Sequence, residues 1–232
     1  VVWDHAEGCV VWDVDGNEYL DWSSGVLVTN VGHCHPRYVE AVKAQCDKLF
    51  NCYDFVTEPR AQLAQKLVEI TPEHIDKAFL VTTGSDATEA AIRMARRVSP
   101  GYEIIGFDGA FHGRTYGAAS AGGMMGSKNG YGPMTPGFLH APFPYLYRAP
   151  ICQGKTEEEA SQACLEYLDW LVDRQSANAL CGVITEPYQG GAGGIVPPKS
   201  WMEGLFKWCK DRGLIFILDE VQSSFGRTGK MF

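Results

Sequence analysis

Apolar positions repeat along this chain with two periods, and the switches between them outline its elements. Residues 9–22, CVVWDVDGNEYLDW, carry two short β-type runs around Asp15-Gly16-Asn17. Asp-Gly is a strong turn signal because glycine enters the φ > 0 region without steric cost, so the stretch predicts a hairpin. From Pro36 to Phe50 the residues Val39, Val42, Cys46 and Leu49 recur at helical spacing behind a proline suited to a first turn. A second helix is expected from Glu58 to Ile70. The period then changes: a buried strand is expected over Ala78–Thr82, then a Thr-Thr-Gly-Ser turn, then an amphipathic helix from Asp86 to Arg97.

The alternation continues with a strand at 103–107, a helix at 156–174, a strand at 179–187, a helix at 200–212 and a final strand at 214–218. Apolar strands separated by helices at these distances predict an α/β fold, its mostly parallel sheet covered by helices on both faces. Residues 121–154 interrupt the pattern. Their many glycines and prolines predict a loop-like stretch with no long helix and no central strand.

Composition narrows the class. The chain has 232 residues, 45% of them hydrophobic, and a net charge of −8. It lacks the basic footprint that neutralises nucleic-acid phosphates or anionic lipid. No apolar run approaches the roughly 18 residues that suggest a membrane span. The start, VVWDHAEG, lacks a basic-then-apolar leader pattern, and the expectation is a cytoplasmic protein. Eight cysteines are scattered, none as C-x-x-C, and read as reduced thiols. Asp13-x-Asp15-Gly16-Asn17 fails as a calcium loop for want of a third oxygen ligand before its glycine, and His33-Cys34-His35 has no third ligand at a metal-site spacing. No metal is expected.

Ligands of open α/β sheets gather at the carboxyl ends of the strands, and here those ends carry unusual residues. Thr83-Gly84-Ser85 opens a helix, where free N–H groups can hold a phosphate; the plainer alternative is an N-cap formed by Ser85 or Asp86. Phe111-His112-Gly113-Arg114 offers an aromatic face, a ring nitrogen and a fixed cation, although a packed Phe and a surface Arg would read the same way. Glu186 and Asp219 end two further strands, and a carboxylate there is costly unless it is paired. The Gly-Gly-Ala-Gly-Gly run after Gln189 opens no helix and is no dinucleotide fingerprint, which disfavours a nicotinamide-dependent dehydrogenase. A phosphate cradle, an aromatic plate, an arginine and a buried acid together fit pyridoxal phosphate, whose phosphate, ring face and pyridinium nitrogen need such partners.

Six segments in order, DVDGNEYLDWSSG, NVGHCHPRYVEAV, TTGSDATEAAIRMAR, FHGRTYGA, ITEPYQGGAGG and LDEVQSSFGRTGKMF, make the chain resemble the class III (ornithine/4-aminobutyrate-like) aminotransferases, which are fold type I pyridoxal phosphate enzymes. The resemblance implies an N-terminal segment of a small domain at residues 1–50 and an incomplete large cofactor-binding domain at 51–232. It implies Gly84 and Ser85 at the phosphate, Phe111 and Val221 on the two ring faces with His112 beside them, Asp219 as the catalytic partner of the ring nitrogen, and Gln222 near the ring hydroxyl. Arg114 resembles the arginine that clamps the amino donor's carboxylate, Glu186 a glutamate at the site edge that pairs with that arginine in some members, and Val26 a wall near the substrate. An amino donor, a keto acid acceptor and a homodimer with an interfacial active site are further implications.

The sequence departs from the family pattern at Asp86, Thr88 and the pair Tyr188 and Gly191, the last placing the substrate in question. None of the lysines stands where the family places its Schiff-base lysine, which is expected on a segment beyond Phe232 of a longer enzyme. The same motifs occur in decarboxylases and aminomutases of the family, and a module without the lysine would be an inactive cofactor-fold domain. These stand as the alternatives to amino transfer.

Overall fold

The computed structural model describes residues 1–232, and its contacts divide the chain into two units. One consists of Val1–Leu80 with Ser224–Phe232, the other of Val81–Ser223. The boundary expected after residue 50 falls inside the first unit.

The first unit opens with β1 (Trp3–Glu7), β2 (Val10–Asp13) and β3 (Glu18–Leu20), an antiparallel sheet in that order. The expected hairpin is its second half, with Val11 opposite Tyr19; the strand before it gave no clear sequence signal. Asp13 ties the turn by accepting from the N–H groups of Asp15 (3.1 Å) and Asn17 (2.8 Å) and from the Tyr19 hydroxyl (2.9 Å). Next comes α1 (Ser24–Leu27), a turn in the left-handed region, with φ of 50° at Ser24, 62° at Val26 and 69° at Leu27. Such backbone costs non-glycine residues about 1–2 kcal/mol each. Asp21 holds it, accepting from Ser23 and Ser24 N–H at 2.8 and 3.0 Å while its other oxygen meets His33 Nε2 at 2.7 Å. Those partners keep the Asp21 carboxyl well below the usual carboxylate range, the Ser23 hydroxyl bond being the largest cause and His33 the next. The helices α2 (Pro36–Cys46) and α3 (Glu58–Ile70) follow where the spacing places them, each with a proline in its first turn.

The second unit contains α4 (Gly84–Val98), β4 (Glu103–Phe107), α5 (Tyr116–Ala121), β5 (Phe138–Ala141), α6 (Glu157–Gln175), β6 (Leu180–Thr185), α7 (Lys199–Asp211) and β7 (Ile215–Leu218). The sheet is parallel throughout, in the order β5-β4-β6-β7. Alternate side chains of the buried strands serve opposite faces, as the two-residue period requires. Ile105, Phe107 and Val183 pack with Leu168 and Leu171 of α6 and Trp201 and Leu205 of α7. Ile104, Cys181 and Ile184 pack with Ile92 and Ala95 of α4 and Ala121 of α5. Phe107 meets Trp201 edge to face at 5.4 Å, and α6 starts with a capping box between Thr156 and Glu159.

Two expectations are corrected. Residues 78–82 form no strand, because no other strand offers them a ladder and a strand exists only through its partner. Conversely, the segment 121–154 does contain a strand, β5, short enough to fit between Pro136 and Pro142 and lying at the sheet edge, where it needs only β4 as partner.

Candidate functional site

The carboxyl ends of β4, β6 and β7 lie side by side, so residues far apart in sequence converge beyond them. One such contact joins Asp219, the first residue after β7, to His112 in the loop after β4: His112 Nδ1 lies 2.8 Å from Asp219 Oδ2. The His112 side chain is fully covered, while 12% of the Asp219 side chain remains open. Asp219 is fixed twice more, its N–H donating to Thr185 O at 2.8 Å and its Oδ1 accepting from Val221 N–H at 3.2 Å. The partner that a carboxylate at a strand end demands is therefore a histidine. The Nε2 atom of the same ring is buried without a hydrogen-bond partner.

The first turn of α4 supplies the second part. Thr83 is its N-cap, accepting from Asp86 N–H at 3.1 Å, while the Asp86 carboxylate turns back to Thr82 N–H at 3.2 Å. Ser85 and Asp86, the alternatives weighed from sequence, do not cap the helix. Gly84 faces open space: a Cβ built there meets no atom within 4 Å. Ser85 Oγ accepts from Arg114 N–H at 3.1 Å, and Thr88 Oγ1 donates to His112 O at 2.9 Å, so α4 and the 111–114 loop are laced together. The lacing requires glycine at 113, where φ is 132° and a Cβ would lie 2.4 Å from Ser85 Oγ and 2.9 Å from Ser85 Cα.

Glu186 follows β6 and is 4% exposed. Its two oxygens accept from Phe111 N–H at 2.9 Å and Gly190 N–H at 3.0 Å, tying it to the backbone of these two loops, and no ion pair joins it to Arg114. Burial pushes its carboxyl above the usual range against the downward pull of those two N–H groups. The Gln222 carbonyl accepts from the Tyr188 hydroxyl at 3.1 Å, and Gln222 Oε1 is buried without a partner beside Gly190, where a Cβ would be 1.6 Å away. Val221 is 56% exposed. Arg114 is exposed, has no carboxylate within ion-pair distance, and lines a cavity of about 530 Å³ with Phe111, Tyr116, Met124, Tyr131 and Met134.

Of the residues singled out from sequence, Gly84, Ser85, Phe111, His112, Arg114, Glu186, Asp219, Val221 and Gln222 all belong to the second unit. Val26 belongs to the first, at the middle of the left-handed turn, with 73% of its surface exposed. Sequence reasoning passed over Glu89, whose carboxylate receives three donors from residues 115–118. Its signal was present: Ser85, Thr88 and Glu89 stand at i, i+3 and i+4, one polar face of α4.

The chain matches the family model described as Aminotransferase class-III over residues 1–232. It is 37% identical to acetylornithine aminotransferase of Methanopyrus kandleri over 97% of this chain and 52% of that protein. It is 35% identical to isoleucine 2-epimerase of Lentilactobacillus buchneri over 100% of this chain and 52% of that protein. Among solved structures, an (S)-enantioselective omega-transaminase from Thermomicrobium roseum superposes with a TM-score of 0.95 at 33% identity, covering all of this chain and 53% of that one. A taurine:2-oxoglutarate aminotransferase from Bifidobacterium kashiwanohense, in complex with PLP and glutamate, gives 0.90 at 33% identity, with 100% and 52% covered. The chain thus spans about half the length of the relatives it matches.

Proposed function

The chain belongs to the class-III aminotransferases, and from that premise we propose that the whole protein moves an amino group from an amine or amino acid to a keto acid with pyridoxal 5'-phosphate as cofactor. The observation that carries this reading is the convergence of the His112–Asp219 pair with the open first turn of α4. The residues fit the cofactor's chemistry. Gly84 leaves room for a phosphate at the N–H groups of the helix start, and the Ser85 hydroxyl, which accepts from Arg114 N–H, still has its own proton to donate. Asp219 supplies a fixed negative charge for a ring nitrogen, Phe111 and Val221 two apolar faces, and Gln222 an amide for the ring hydroxyl.

When bound, the cofactor serves as the electron sink that makes a proton next to the donor's nitrogen removable. The chain's own residues set the conditions. Asp219 holds a proton at the ring nitrogen, and its remaining oxygen positions are occupied by His112 and Val221 N–H, so it cannot swing away. Glu186 fixes the Phe111 backbone by accepting from its N–H. Arg114 presents a planar fork of donors suited to a carboxylate of the donor. Val26 as a substrate wall and a homodimeric assembly are what the family resemblance implies, and a cytoplasmic location is proposed beside them. No helix is long and apolar enough to cross a membrane.

A second reading keeps the cofactor and changes the fate of the donor, favoured by the 35% identity to a protein named as an epimerase. Purified full-length protein separates them. Bound aldehyde absorbance with keto-acid-dependent amine transfer supports the first reading. Inversion of an amino acid's stereocentre without a keto acid supports the second, carbon dioxide release indicates a decarboxylase, and the absence of any bound chromophore overturns both readings.

A further inference from the structure

We propose that Glu89 is a positioning residue for Arg114, and through it sets the preference for donors that carry a carboxylate; this rests on the reading of Arg114 given above. Arg114 itself has no side-chain partner, so its aim depends on its backbone. That backbone is held from both sides by one helix. On the amino side, Arg114 N–H donates to Ser85 Oγ. On the carboxyl side, Glu89 Oε1 accepts from the Thr115 hydroxyl at 2.5 Å, Gly117 N–H at 3.0 Å and Ala118 N–H at 3.2 Å.

Gly117 and Ala118 are the second and third residues of α5, whose N–H groups a helix leaves without internal partners. The N-cap Thr115 makes no side-chain cap of its own, so Glu89 reaches across from α4 and provides it. A carboxylate at a helix start also meets the positive end of the helix dipole. The seat is closely built. A Cβ on Gly117 would lie 2.3 Å from Glu89 Oε2 and 2.6 Å from Oε1, so glycine there is what admits the carboxylate. From the capped segment, Arg114, Tyr116 and Ala119 line the 530 Å³ cavity beside Phe111. Glu89 therefore fixes the cavity wall that carries the cation while touching no substrate.

The test uses the cofactor-loaded full-length protein and matched donors, an ω-amino acid and the alkylamine of equal chain length, 4-aminobutyrate and butylamine being the first pair and longer homologues extending it until one is turned over. Arg114→Leu is expected to abolish the preference for the carboxylated donor. Glu89→Leu should raise KM for that donor about tenfold, the effect of losing a helix cap, with kcat, butylamine-type KM and pyridoxal phosphate affinity by absorbance titration all within about twofold. Glu89→Gln, which keeps an accepting oxygen, should recover most of the loss, and Gly117→Ala, which displaces the carboxylate, should reproduce it. If Arg114→Leu leaves the preference intact, the reading of Arg114 fails and the inference with it. If Arg114→Leu removes the preference while Gly117→Ala and Glu89→Leu do not, the inference alone fails. Equal losses for both donors, or a parallel loss of cofactor affinity, would likewise reduce Glu89 to a structural residue; should Glu89→Leu not fold, Gly117→Ala decides.

Discussion

Replacing Glu186 by glutamine tests the hydrogen bonds that fix the Phe111 backbone without changing the side chain's shape. Each carboxylate oxygen accepts one backbone N–H, from Phe111 at 2.9 Å and from Gly190 at 3.0 Å, at a site only 4% exposed. An amide offers one acceptor and one donor, so in either orientation one N–H faces another. A buried donor left unsatisfied costs about 1–3 kcal/mol, and that is the expected destabilisation near neutral pH. The pH dependence has a definite sign. Burial raises the folded-state pKa of Glu186, so its contribution to stability is full below the ordinary carboxylate value and is lost as pH rises through the raised one. The glutamine variant lacks this titration, so the gap between wild type and variant should narrow as pH rises through that window and widen as it falls. Urea unfolding of the full-length protein at several pH values between about 4 and 8 measures it; groups that do not interact with Glu186 cancel in the difference, while His112 and Asp219, which do, contribute to it. A variant as stable as wild type at neutral pH, or a gap that widens with rising pH, would refute the reasoning.

Asp219→Asn keeps an oxygen for His112 but removes the negative charge, and should weaken pyridoxal phosphate binding by about tenfold or more, read by absorbance titration with circular dichroism unchanged. Leu205→Ala empties a fully buried position of α7 in the core it shares with α6 and the sheet, and should cost about 2–5 kcal/mol in denaturant unfolding, with little effect on cofactor affinity. Burial pushes the Cys164 and Cys209 thiols up to about 12, so both should resist thiol-disulfide reagents at pH 8 until the protein is unfolded. Mass spectrometry of the labelled peptides reports which cysteines reacted.

Much of the fold was legible because its signals are local. Helix starts at Pro36 and Glu58, the Asp-Gly hairpin and the apolar runs of β4, β6 and β7 depend on neighbours within a few residues. Expectations failed where the deciding partner was distant: residues 78–82 look like a strand but have no ladder, and β5 sits in a proline-rich stretch yet finds an edge beside β4.

The same division runs through the site. By itself the sequence determined which chemical groups stand at the strand ends, and in what order, which was enough for the family resemblance. Only the tertiary structure decided their pairings. His112 and Asp219 are 107 residues apart, Phe111 and Glu186 are 75 apart, and Glu89 reaches Gly117 across 28. Periodicity reports how a side chain faces its own element. Which carboxylate meets which donor depends on how the parallel strands are ordered and how α4 lies against them, and that arrangement arises only when the whole core packs.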